Sequence, residues 1–156
     1  MPTLLIVHHS PTPLLEEILA AVLNGARDPE LATMASADNP LEVRVVEALE
    51  ATSEDILAAD AILLGTTANF GYISGALKHF FDTTFFDCLD RTKGLPFSYW
   101  IRGGKDTAGA ENALRSITTG YDWKLAAEPV VFVGSLDDGL REQLTNLGGT
   151  MAAQLL

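Results

Sequence analysis

The chain has 156 residues, 47% of them hydrophobic and 20% charged, and a formal net charge of −11. That length suits a single domain over residues 1–156, and that composition supports a packed core rather than a disordered chain. The acidic surface repels nucleic-acid phosphates and anionic bilayers, so neither is expected as a partner. No apolar run approaches the roughly 20 residues of a membrane span, and no basic, cleavable leader precedes the first apolar segment. Cys88 is the only cysteine, which excludes an internal disulfide and fits a cytoplasmic location.

Leu4-Leu5-Ile6-Val7 is apolar without alternation, the pattern of a parallel strand buried on both faces. Leu15, Ile18, Leu19, Val22 and Leu23 then recur at helical spacing, and Asn24-Gly25 reads as the helix stop. Residues Arg27 to Pro40 form a polar connection with a helical turn near Glu30 to Met34. Leu41 to Val45 alternates like an edge strand, and Thr52 or Ser53 can cap a short helix through Ala59. Ala61-Ile62-Leu63-Leu64 is a second buried strand ended by Gly65, followed by a helix from Ser74 to about Phe86. Its core face would use Leu77, Phe80, Phe81 and Phe85. Pro96 to Ile101 is a strand ended by Gly103-Gly104, Ala108 to Thr118 a helix, and Val130 to Val133 the last strand. Leu140, Leu144, Leu147, Met151 and Leu155 mark one face of the last helix.

Five strands alternating with five helices imply a three-layer, doubly wound α/β domain with a five-stranded parallel sheet. Right-handed crossovers favour the strand order 2-1-3-4-5. Ligands of such sheets sit outside the carboxyl ends of the strands, where the order reverses between strands 1 and 3. Three loops meet there.

The first runs from His8 and offers the hydroxyls of Ser10 and Thr12, with Pro13 suited to the first helical position. The amides of Leu14, Leu15 and Glu16 are anion donors in principle, although a Thr cap with Pro and Glu behind it opens many ordinary helices. The second reads GTTANFGYIS from Gly65. Its small residues let a flat ring approach the backbone, and Phe70 or Tyr72 could stack on that ring or roof the core. In the third, Gly103 and Gly104 leave a strand, either to admit a ligand or to form a turn before a helix capped by Asp106 or Thr107.

These residues resemble the flavodoxin-like superfamily, in particular its NAD(P)H-dependent FMN and quinone reductase branch. That branch carries a segment G-T-P-x-x-F/Y-G-x-x-S leading into a helix with K-x-F-x-D. Here Gly65, Thr66, Phe70, Gly71 and Ser74 match, followed by Lys78, Phe80 and Asp82. The resemblance covers essentially the whole chain in element order. It implies that Ser10, Thr12 and the amides of Leu14 and Leu15 hold the FMN phosphate. It also implies that Thr67, Ala68, Asn69, Phe70 and Gly71 line the ring, with Gly103 and Gly104 on its far side. NADH or NADPH would be the electron donor and a small molecule such as a quinone the acceptor. The branch often completes its sites across a subunit interface, so a homodimer or higher oligomer is implied. Pro13, Leu14 and Leu15 stand where the usual phosphate loop ends Gly-Asn-Thr, and Thr67 stands where the G-T-P segment after the third strand has proline. The third loop lacks the aromatic of small electron-carrier flavodoxins. A carrier, or a binding module without catalysis, is the alternative.

Other motifs fall away. Gly104-Lys105 lacks a glycine five residues earlier, where Tyr99 stands, and is followed by Asp106 rather than Ser or Thr. There is no GxGxxG, and Ser10 lies outside any GxSxG elbow. His8 and His9 are neighbours on a strand and point to opposite faces, which suits one buried and one exposed histidine better than a metal pair. Phe80, Phe81, Phe85 and Phe86 cannot all face the sheet at 100° per residue. Phe81 or Phe86 should therefore reach the surface, where a second subunit could cover it.

Overall fold

Leu4, Leu5, Ile6 and Val7 are wholly buried, as are Ile62, Leu63 and Leu64. Strands with no polar face must be covered on both sides. The computed structural model, which describes residues 1–156, shows how this is done. In chain order the elements are β1 (Thr3–His8), α1 (Pro13–Ala26), α2 (Pro29–Met34), β2 (Glu42–Glu47), α3 (Ser53–Leu57) and β3 (Ala61–Ala68). There follow α4 (Gly75–Cys88), β4 (Pro96–Gly103), α5 (Ala108–Tyr121), β5 (Lys124–Leu125), β6 (Val130–Val133) and α6 (Asp138–Ala153). All strand pairs are parallel. The order is β2-β1-β3-β4, with β5 and β6 sharing the fifth position beside β4. The doubly wound α/β sheet expected from the sequence is the fold observed.

The pleat sorts alternate residues into two cores. Leu5, Val7, Ile62, Leu64 and Ile101 face α3, α4 and α5, meeting Ile56, Leu77, Phe80, Phe81 and Leu114. Leu4, Ile6, Leu63, Trp100 and Phe132 face α1 and α6, meeting Ile18, Val22, Leu144, Leu147 and Met151. β1 ends with His8 opposite Gly65, whereas β3 continues to Ala68 beside Gly103 of β4. The overhang lies at the switch point, flanked by the three loops.

Several boundaries differ from the sequence expectation for identifiable reasons. Gly25 does not stop α1, which runs to Ala26 and ends at Arg27. A Cβ on Gly25 would overlap the Thr145 carbonyl of α6, and one on Gly148 would overlap the Val22 carbonyl of α1. These glycines exist for helix contact. Gly65 likewise lies inside β3, where the Trp100 indole fills the space a Cβ would take. α3 stops at Leu57, and the choice of cap falls on Thr52, which forms a reciprocal capping box with Asp55. α5 continues to Tyr121, closed by Asp122 in the left-handed region at φ 62°.

The fifth strand position is interrupted. After β5, the Ala126 amide still reaches the Phe97 carbonyl at 2.8 Å. The buried Ser98 hydroxyl then donates to the Ala127 carbonyl at 2.9 Å in place of a ladder bond. Pro129 has no amide to offer, and pairing resumes at Val130 opposite Trp100.

The α1–α6 crossing yields a paired prediction. Gly148→Ala forces two helix backbones apart and should lower stability by about 1–3 kcal/mol, read as a shifted urea midpoint. At Gly149 a Cβ would meet only ordinary contacts, the nearest at 3.5 Å. Gly149→Ala should therefore be neutral, or stabilising by up to about 1 kcal/mol through helix propensity.

Candidate functional site

Thr12 caps α1: its Oγ1 accepts the Leu15 amide at 3.3 Å, and Pro13 opens the helix. The Glu16 amide reaches the Thr12 carbonyl at 3.0 Å. The Leu15 and Glu16 amides are thus engaged within the helix start. The amides of Ser10, Thr12 and Leu14 have no acceptor in the chain. They line the mouth of β1 at alternate positions, together with the Ser10 and Thr12 hydroxyls.

Both histidines are partly exposed, in place of the one buried and one exposed expected, because β1 ends there and neither face is fully covered. His8 Nδ1 lies 2.9 Å from Ser10 Oγ, and His9 Nδ1 lies 2.7 Å from Glu47 Oε1. Burial holds the His8 pKa below its usual value, Glu47 opposes this, and His9 adds to it. Burial alone would raise the Glu47 carboxyl. The His9 hydrogen bond, the Leu49 amide and the histidine charges outweigh it and hold the group low. Sequence reading missed Glu47 because only the β1–β2 register, His8 opposite Glu47, brings it to the mouth.

In the second loop the buried Thr66 Oγ1 accepts the Ser74 amide at 3.1 Å, and Ser74 Oγ accepts the Leu77 amide at 3.2 Å as the cap of α4. Thr67 Oγ1 donates to Asn69 Oδ1 at 2.9 Å. Asn69 and Tyr72 exchange backbone hydrogen bonds of 2.8 and 2.9 Å around Phe70 and Gly71. Both central residues have positive φ, 51° and 75°, as a type I′ turn requires. Glycine does this freely, but a phenylalanine is strained. Phe70 is nevertheless fully exposed at the tip. A Cβ on Gly109 would overlap the Gly71 carbonyl, so the first turn of α5 abuts this turn directly.

In the third loop β4 ends at Gly103, whose carbonyl accepts the Gly134 amide at 3.0 Å. Arg102 Nε donates to the Gly134 carbonyl at 3.0 Å. Thr107 occupies the cap position without capping, since its hydroxyl turns to Glu111 Oε2, and Asp106 Oδ1 accepts the Ala108 amide at 2.9 Å. Gly104 is exposed and a Cβ there would meet nothing within 4 Å. The structure therefore gathers Ser10, Thr12, Leu14, Leu15, Thr67 to Gly71, and Gly103-Gly104 along one edge of the sheet. The largest cavity lies elsewhere, over the fifth strand position.

A family model described as NADPH-dependent FMN reductase matches residues 8–138, a span that opens at His8 and takes in all three loops. The chain belongs to this family. It is also 30% identical over 119 residues to a protein named flavodoxin from Aquifex aeolicus (strain VF5), covering 76% of this chain and 60% of that one. The chain thus spans about three-fifths of that relative's length. Among solved structures, a flavodoxin from the domain Archaea superposes with a TM-score of 0.77 at 15% identity over 98% of each chain. The Streptococcus pneumonia TIGR4 flavodoxin does so with a TM-score of 0.77 at 20% identity, over 97% of this chain and 99% of that one. At these identities the two structures establish the fold alone. The resemblance read from the sequence holds at the level of family and fold. No helix of this FMN reductase family member is long and apolar enough to cross a membrane.

The His8 environment predicts a pH dependence. The unfolded chain takes up a proton at His8 near pH 6.5, the folded chain only at lower pH. Folding stability contributed by neutral His8 is therefore present above the unfolded value of 6.5 and lost as pH falls below it toward the lower folded-state pKa. Urea unfolding should show this loss, and His8→Gln should reduce it.

Proposed function

We propose that the chain binds FMN in the crevice between β1 and β3 and transfers electrons from NADPH or NADH to a small acceptor such as a quinone. The observation that carries this reading is the row of unpaired amides at Ser10, Thr12 and Leu14 beside the exposed Phe70 turn. An acidic protein can hold a phosphate dianion only with local donors, and these amides at the start of α1 are of the right kind.

In this reading Ser10 and Thr12, with the Leu14 amide, hold the phosphate. The Leu15 amide acts through its hydrogen bond to Thr12, keeping that side chain aimed. Thr67, Ala68, Asn69, Phe70 and Gly71 border one side of the ring, and Gly103 and Gly104 the other. The bound FMN supplies the hydride and electron chemistry, while the chain contributes position, hydrogen bonds and an open ring face for the nicotinamide. Family membership supports the assignment of both FMN and NADPH.

Purified protein should quench FMN fluorescence on titration. Phe70→Ala should weaken FMN binding by about tenfold with an unchanged melting temperature, as loss of an aromatic contact at an exposed site implies. Under anaerobic conditions NADPH or NADH should bleach the loaded protein. Retained colour with both would leave the second reading, a flavodoxin-like electron carrier, which the relative named flavodoxin favours. A carrier should pass through three resolvable redox states during stepwise reduction. A protein that ignores FMN altogether would be a binding module that keeps only the fold.

We further propose that a second copy covers the outer face of α4. Phe80 and Phe81 face the core and Phe85 is half-buried, whereas Phe86 is 82% exposed on the outer face with Leu89 exposed beyond it. Light scattering should show a homodimer or larger assembly, and Phe86→Glu should dissociate it while circular dichroism stays unchanged.

A further inference from the structure

His8 ends β1 on the face of the sheet that α1 and α6 cover, in alternation with Leu4 and Ile6. Its ring is half-buried, and Nδ1 lies 2.9 Å from Ser10 Oγ. Ser10 belongs to the row of free donors before α1, where the amides of Ser10, Thr12 and Leu14 have no acceptor in the chain. The imidazole is thus one hydrogen bond away from the place assigned above to the FMN phosphate, so the role of His8 rests on FMN binding there.

A serine hydroxyl has one proton and two lone pairs, and a bare ring nitrogen can only accept. While His8 Nδ1 is bare, the Ser10 proton points to it, and the oxygen offers an arriving anion nothing but lone pairs. With a proton on Nδ1, His8 donates to the Ser10 oxygen, and the hydroxyl proton is free to turn to the anion. The state of His8 therefore decides whether Ser10 repels a phosphate or binds it.

The surrounding charges leave His8 as the group that can answer a dianion. No lysine or arginine precedes Arg27, and α1 brings Glu16 and Glu17. β2 brings Glu47, opposite His8 in the register, and Arg44, which is paired with Asp55. β3 brings uncharged Gly65. α6 brings Asp138 and Arg141, the latter 3.9 Å from Glu17. His9 Nδ1 is held 2.7 Å from Glu47 Oε1, and Glu47 Oε2 accepts the Leu49 amide at 2.6 Å. His8 alone among these can gain a positive charge near neutral pH without breaking an ion pair. In the free protein burial keeps its ring neutral, Glu47 opposes this, and His9 adds to it. A second negative group beside Ser10 would tip that balance towards the charged ring.

We propose that His8 is a positioning residue that takes up a proton from solvent when a phosphomonoester dianion binds at Ser10, and so converts Ser10 into a donor. Ligands without the phosphate leave His8 neutral.

The test follows the His8 ring by NMR in isotope-labelled protein, over a pH series without ligand, with riboflavin and with FMN. FMN should raise the His8 pKa by about one unit or more, the size expected of a neighbouring opposite charge. Riboflavin, which has the ring system and no phosphate, should leave it unchanged. In parallel, the FMN Kd of His8→Gln is compared with the parent's. Glutamine keeps a donor beside Ser10 and does not titrate, and the titration of the phosphate itself cancels in the ratio. The ratio of variant to parent Kd should rise about 3- to 10-fold from about pH 8.5 to about pH 6.5, the linkage equivalent of that shift. An FMN-loaded protein whose His8 pKa is unchanged or lowered would overturn the role of His8 while leaving FMN binding in place. So would an equal rise with riboflavin, or a Kd ratio that is flat with pH. A protein that does not bind FMN at all would overturn both. The NMR series uses the parent protein, so it decides the matter if His8→Gln fails to fold.

Discussion

The parallel pairing of β1 with β3 is the contact from which the rest of the molecule follows. Both strands are apolar on both faces, so each must be sandwiched, and helices are the available cover. Once α1 returns the chain to β2 on one side and α3 to β3 on the other, the strand order reverses between them. β1 stops at His8, and β3 carries on for three residues past Gly65. That difference in length makes a notch, and every loop of functional interest borders it. Trp100 braces the arrangement from the neighbouring strand by occupying the space that Gly65 leaves.

The notch is built from groups that the protein does not satisfy by itself. Most backbone amides in a folded chain find an acceptor. Those of Ser10, Thr12 and Leu14 do not, and they sit together. Across the notch, Phe70 carries two costs at once, a strained backbone and a fully exposed ring. Its turn is held by a double backbone hydrogen bond and by backbone contact between Gly71 and Gly109. The strain is thus anchored to the first turn of α5, which ties the turn of the second loop to the helix that follows the third.

Much of this architecture could be read from residue order. The runs Leu4–Val7 and Ala61–Leu64, the caps Thr12, Thr52 and Ser74, and the aromatic crowding on α4 are local signals, and they place elements correctly to within a few residues. Glycine was the weak point. Gly25 and Gly65 look like punctuation, yet both are spacing devices whose partners, Thr145 and Trp100, are distant in sequence. The break in the fifth strand was also hidden, since Lys124-Leu125 is too short to register as a strand on its own. Around the candidate site, loop composition brought the right segments together. It could not reveal that Thr12 engages the Leu15 amide, nor that Glu47 arrives from the edge strand to meet His9. Those facts depend on dihedral angles and register, which leave no trace in composition.

The broken fifth strand has a further effect on how the molecule behaves among its copies. The outer rim of an open sheet is a template on which another chain can extend the ladder. Here that rim consists of a two-residue piece and a four-residue piece, separated by a stretch containing Pro129. Neither piece approaches the six or so contiguous, flat residues that cross-β stacking needs. Lys124 and Glu128, both exposed, add charge along the same line. The interruption that opens the sheet margin therefore also guards it against fibril-like growth, a protection that does not rely on any covering loop or partner.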